Sequence, residues 1–263
     1  MKKLILSASL FALLTACSNG DDNTIEFGMA TTNKSVSLTS DENAPRCQVS
    51  LELAYATEKN GHKAEVINNA VQQRLLDMQD LPMQTATDSF ANEYTSNYKN
   101  NYLPMYNKDR ADTTKYAWYE YHYIIKTDVF GGFKGTTVYN IYLDYYEGGA
   151  HGINQHLTMN FENETGRTLA LANVFVPGFQ QQLSKILLEA LEEKVGASNL
   201  KELHNRGYLY SMDMFPSENF ILAEETITFI YNPYEIAPYS EGSIELIIPI
   251  SDLKGILQEQ FKQ

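Results

Sequence analysis

The residues of this chain best placed for chemistry form a single short run, Gly148-Gly149-Ala150-His151-Gly152, directly after Tyr145-Tyr146-Glu147. An imidazole there could serve as a general base or a ligand. Three glycines in five positions also let the backbone turn sharply, and His151 can then bond turn carbonyls or pack on the neighbouring tyrosines, which is its expected role. A metal site would have to recruit His156, but five residues along a strand place two side chains on opposite faces unless a bulge intervenes. There is no His-Glu-x-x-His helix and no cysteine pair, so neither a local zinc centre nor a cofactor is expected; His62, His122 and His204 could converge only through the fold. Nucleophile motifs are equally poor: no Gly-x-Ser-x-Gly elbow occurs, and the glycine clusters lack phosphate-cradling spacing. Asp144, Glu147, Glu235 and Glu241 sit beside aromatic residues, as acid and nucleophile do in sugar clefts, which keeps a hydrolase of cell-wall polysaccharide as the alternative function. Solvated carboxylates are the ordinary reading in so acidic a chain. No catalytic residue is assigned.

Binding is the better-supported class. The chain has 18 tyrosines, crowded into Tyr116 to Tyr146 and Tyr231 to Tyr239. Tyrosine combines rigid area with a polar tip and is favoured at recognition surfaces; most of these rings are expected in the core, and the remainder at a contact surface. Pro233 and Pro238 stiffen the loop carrying Tyr234, Glu235 and Tyr239, which lowers the ordering cost of binding. These three residues, with Glu147 and His151, are the predicted binding set.

The N-terminus predicts where such a surface works. Lys2 and Lys3 precede an apolar run from Leu4 to Ala16, which is too short to span a bilayer, and Leu14-Thr15-Ala16-Cys17 has the form of a lipoprotein cleavage site. Residues 1–16 are predicted to be a signal peptide, Cys17 the lipidated first residue, and 17–44 a Ser/Thr/Asn/Asp-rich tether spanning on the order of 30 Å as a coil. An outer-membrane lipoprotein facing the periplasm or the surface is expected, held to the membrane by its lipid. The net charge of -13 argues against nucleic acid and suits a basic partner. Cys47 alone remains once Cys17 is lipidated, so no intramolecular disulfide is expected, and Cys47 reads as a small buried hydrophobe.

The elements that must position these residues follow from periodicity. Val49, Leu51, Leu53 and Tyr55 alternate as a strand; Ile67, Val71, Leu75 and Met78, then Phe90, Tyr94, Tyr98 and Tyr102, recur at helical spacing. A β-meander follows, with Ala117 to Ile125, Thr137 to Tyr145 and Ile153 to Phe161 as its strands. Pro177-Gly178 introduces a helix striped with Leu183, Leu187 and Leu191 and stopped by Gly196. Thr226 to Tyr231 and Ser243 to Ile250 read as strands, and Ser251 or Asp252 is expected to cap a final helix. The predicted fold is α+β, with antiparallel meander sheets packed on amphipathic helices in two intimately joined subdomains, 45–135 and 136–263.

Two blocks carry a family resemblance. Tyr145-Tyr146-Glu147-Gly148-Gly149-Ala150-His151-Gly152 resembles a Tyr/Gly-Gly-Ala-His signature. Phe229-Ile230-Tyr231-Asn232-Pro233-Tyr234-Glu235-Ile236-Ala237-Pro238-Tyr239-Ser240-Glu241-Gly242 is similar to the closing motif of the same family, that of the extracellular domain of the RsiV anti-sigma factor and the accessory domain of the PdaC peptidoglycan deacetylase. The resemblance covers roughly residues 47 to 255. It implies an extracytoplasmic module whose partner is a lysozyme-like protein or peptidoglycan. This chain is expected to depart from both relatives, with no spanning helix or cytoplasmic segment to hold a sigma factor and no room for a deacetylase domain, so that fold and location are what the resemblance carries over.

Overall fold

The computed structural model describes residues 24–262. The signal segment, Cys17 and the first part of the tether lie outside the described residues.

The rest of the expected tether is structured. Strand β1 (Phe27–Ser37) pairs antiparallel with β2 (Arg46–Ala56) along its whole length, from Phe27 opposite Ala56 to Ser37 opposite Arg46. Its polar residues find partners that composition does not reveal. The Thr32 hydroxyl bonds Thr87 and Asp88 at 2.9 and 2.6 Å, and Asn33 accepts from Ser50 at 2.8 Å. An edge strand covered on one face by a helix needs only alternate residues buried, and Ala30 and Thr32 supply them.

Helices α1 (His62–Leu76) and α2 (Met83–Asp109) form the crossover that lets β2 pair parallel with β3 (Tyr121–Gly131). The aromatic stripe of α2 packs on that sheet, with ring centroids 4.8 Å apart for Tyr102 and Tyr121 and 5.0 Å for Tyr94 and Tyr123. Met78 falls beyond the end of α1. The expected strand from Ala117 begins only at Tyr121, because residues Thr113–Tyr119 form a 3-10 turn started by Asp112, whose carboxylate accepts from Thr114 N. Strands β4 (Thr136–Glu147), β5 (Ile153–Glu162) and the two-residue β6 (Thr168–Leu169) complete a sheet of order β1-β2-β3-β4-β5-β6. The expected boundary at 135/136 would cut the β3–β4 hairpin, which pairs from Gly131 opposite Thr137 to Tyr121 opposite Glu147. The change of layer comes after β6.

The C-terminal layer contains α3 (Leu171–Val174), α4 (Gln180–Val195), α5 (Leu200–Asn205) and a sheet of β7 (Phe220–Leu222), β8 (Thr226–Tyr231) and β9 (Ile244–Pro249), closed by α6 (Ile250–Leu253). Leu183, Leu187 and Leu191 of α4 are fully buried, and Gly196 takes the left-handed conformation that ends it, φ 65°. Neither Ser251 nor Asp252 caps α6, which starts after Pro249. Each sheet has its own apolar core.

Asparagines join the two layers. The outer edge of β5 lacks a strand partner near His156, and side-chain amides stand in for one. Asn219 accepts from Thr158 N at 2.7 Å and donates to His156 O at 2.7 Å; Asn232 accepts from His156 N at 2.8 Å and donates to the same carbonyl at 3.1 Å. Buried Asn160 reaches back to Phe220 O and Leu222 N. An open edge is thereby satisfied without lengthening the sheet.

Cys47 is fully buried, and burial followed by the nearby charge of Glu147 pushes its thiol up to about 12, so it stays protonated at neutral pH. Among the described residues no helix is long and apolar enough to cross a membrane.

Candidate functional site: an aromatic cluster between two motifs

The turn after β4 bends as its glycines allow. Gly148 and Gly149 take φ values of 83° and 100°, while Gly152 is required for room, since a Cβ there would lie 2.9 Å from Tyr145 O. This bend points His151 at the loop after β8. His151 Nε2 lies 3.3 Å from the Tyr234 hydroxyl, its ring centroid is 4.5 Å from that of Tyr239, and the two tyrosine rings are 5.5 Å apart. The Tyr239 hydroxyl donates to Gly152 O at 3.0 Å, tying the two motifs together.

Three of the five predicted binding residues therefore meet, and two do not join them. Glu147 turns to the helical face of the sheet and accepts from the Tyr94 hydroxyl at 2.6 Å. Glu235 accepts from Asn232 N at 3.0 Å and lines a cleft of about 630 Å³ with Arg74 and Glu218; removal from solvent there pushes its carboxyl up, while the bond from Asn232 N pulls it down. The remaining acidic candidates are also engaged separately: Asp144 with His122 at 3.1 Å, and Glu241 with the Tyr208 hydroxyl at 2.7 Å. Each of the four carboxylates thus has a different local partner. Among the described residues no group of three or more His, Cys, Asp or Glu side chains could hold a metal ion.

Tyr234 holds the least ordinary backbone of the cluster. Its φ is 74°, a left-handed value that costs a bulky residue about 1–3 kcal/mol, yet its side chain is 63% exposed and recovers little by burial. A second strained loop, which sequence periodicity did not reveal, lies against it. Leu209 and Ser211 have φ values of 51° and 59°, and Tyr210 between them is 80% exposed. Leu209 N donates to Ile236 O at 2.7 Å, the Tyr231 hydroxyl donates to Phe215 O at 2.6 Å, and a Cβ on Gly207 would be 3.1 Å from Pro238. Two stapled loops thus hold Tyr210 and Tyr234 outward at a conformational cost. The only sign in the sequence was a pair of tyrosines following Gly207.

The comparisons with known proteins bear on this same stretch. Residues 172–251 match DUF3298, a protein family of unknown function. The DUF3298 match takes in both strained loops and Tyr239, and leaves out His151. Among solved structures, a DUF3298 family member from Bacteroides fragilis is similar with a TM-score of 0.81 and 27% identity, over 89% of this chain and 94% of that one. A DUF3298 family protein from Pseudomonas aeruginosa has a TM-score of 0.63 at 17% identity, over 91% and 97%, which is a likeness of fold. No curated protein matches the chain.

Proposed function

We propose that this is a binding module of the cell envelope, held by lipid on Cys17, and that its contact surface is the rigid group of rings around Tyr234. The observation that carries this reading is the strained backbone that holds Tyr234 outward, braced by His151 and Tyr239, beside the strained turn at Leu209 and Ser211 that exposes Tyr210. Strain that contributes nothing to packing is retained at sites of function, and pre-ordered aromatic side chains bind without a further ordering cost. The loops around the rings carry Asp213, Glu218, Glu235 and Glu241 against Arg206, and the whole chain is acidic. A basic protein such as a lysozyme-like muramidase fits that charge, as the resemblance to RsiV also implies.

Calorimetry with lysozyme tests the reading. Binding that weakens with salt is expected, and Tyr234→Ala together with Tyr239→Ala should lower affinity at least tenfold while the domain stays folded and still unfolds cooperatively, at a somewhat lower midpoint because the Tyr239 bond to Gly152 is lost. If lysozyme does not bind, or the double variant binds as well as the parent, the assignment fails. The anchor is tested separately. Cys17→Ala in the full chain should move the protein from the membrane to the soluble fraction with its fold intact, and continued membrane association would refute lipidation at that residue.

Cell-wall glycan is the second reading, and a different part of the molecule favours it.

A further inference from the structure

The sheet face opposite α1 and α2 carries a cleft of about 420 Å³ between β3, β4 and β5, roofed at one end by Ser243 before β9. Such a volume lies near the lower end of the roughly 300–1,000 Å³ range of small-molecule sites. Tyr142 is 46% exposed in it, although a ring in mid-strand on a sheet of this size would ordinarily be covered. Its position is fixed from one side. The His156 imidazole stacks on it, with centroids 4.8 Å apart and planes inclined by 20°. His156 is itself held at both nitrogens, by Glu245 Oε1 and Asn140 Oδ1, each at 3.3 Å. A half-exposed ring supported in this way offers a rigid flat surface.

Around that ring the polar groups are of three kinds. Asp144 bonds His122 through one carboxylate oxygen, which leaves the other as an acceptor. The Asn154 amide, which can both donate and accept, and the Lys126 ammonium, which only donates, take no side-chain partner among the described residues. Lys126 has Glu52 as its register neighbour and shares the cleft with Asp144, while Glu245 and Asp128 also act on Tyr142, so carboxylates outnumber the one ammonium and an anionic ligand is disfavoured. A flat apolar surface beside separated donors and acceptors, in surroundings that repel anions, matches an uncharged ligand having one apolar face and a rim of hydroxyls. A pyranose has that form, with axial C–H groups on its face and equatorial hydroxyls at its edge.

We propose that this cleft binds a neutral pyranose unit of a glycan chain, its C–H face on Tyr142 and its hydroxyls bonded to Asp144, Asn154 and Lys126. The cleft opens beside the ring cluster, since Asn154 follows Gly152, the acceptor of the Tyr239 hydroxyl, by two residues. The envelope reading supplies only the source of the glycan; the site is built from residues that the protein-binding surface does not use.

The test is titration of the folded domain with two neutral tetrasaccharides, one of β-1,4-linked N-acetylglucosamine and one of β-1,4-linked glucose, followed by calorimetry and amide chemical shifts. At least one should bind and perturb β4 and β5. Tyr142→Ala should weaken it at least tenfold, Tyr142→Phe should keep affinity within about threefold, and Tyr210→Ala should leave it unchanged. Failure of both sugars to bind overturns the proposal, as does retention of affinity in Tyr142→Ala. Loss of lysozyme binding in Tyr210→Ala with sugar binding intact would show the two surfaces to be separate, whereas failure of lysozyme alone would sink only the protein-partner reading.

Discussion

Replacing Asn219 and Asn232 together by leucine is expected to destabilise the protein by more than the two single replacements combined. Each asparagine supplies one acceptor to a β5 amide, Thr158 N or His156 N, and each donates to the same carbonyl, His156 O. A single replacement orphans one partly buried N–H and costs about 2 kcal/mol, but the carbonyl keeps its other donor. The double replacement strips both donors, so an additional term of about 1 kcal/mol or more appears that neither single variant shows. Denaturant unfolding of the parent, the two singles and the double closes the cycle. Strict additivity would mean that water satisfies the β5 edge and the amides do not join the layers. Because they link two separate cores, the double variant should also broaden or split the transition.

Tyr234→Gly is expected to move stability and binding in opposite directions. Glycine adopts the φ of 74° without the steric cost that tyrosine bears there, and a ring 63% exposed gives up little buried area when removed. Relief of about 1 kcal/mol, partly offset by lost contact with Tyr239 and His151 and by the greater chain entropy of glycine, should leave the variant as stable as the parent or more so. Affinity for lysozyme should fall by roughly tenfold or more, as expected for an anchoring aromatic residue. Tyr234→Ala provides the control, because alanine loses the ring and keeps the strain; it should bind as poorly and be less stable than the glycine variant. If both variants are destabilised equally, the left-handed backbone is not a store of strain, and the physical basis for assigning this loop a function disappears.

Much of the architecture was readable in the chain because it depends on local period. The apolar spacing of α4 and its glycine stop, the alternation along β4, and the turn at Asn163 to Gly166 are properties of a few consecutive residues. Residues 27–37 were misread for the same reason. A polar strand looks like a tether until Thr87, Asp88 and Ser50 are brought to it from up to 56 positions away. The strand expected from Ala117 failed through a local competitor, since Asp112 caps a 3-10 turn before the sheet begins.

For the site, the sequence by itself determined the ingredients: a glycine-lined turn carrying His151, and a proline-bounded loop carrying Tyr234 and Tyr239. Bond freedom and ring rigidity belong to residue types and survive without a fold. Only the tertiary structure decided that those two segments touch, that Glu147 and Glu235 turn away to separate partners, and that a third segment, around Leu209, lies against the loop that carries Tyr234. Distances between segments some eighty residues apart are fixed by the packing of two sheets through Asn219 and Asn232, and no local pattern in the chain encodes that packing.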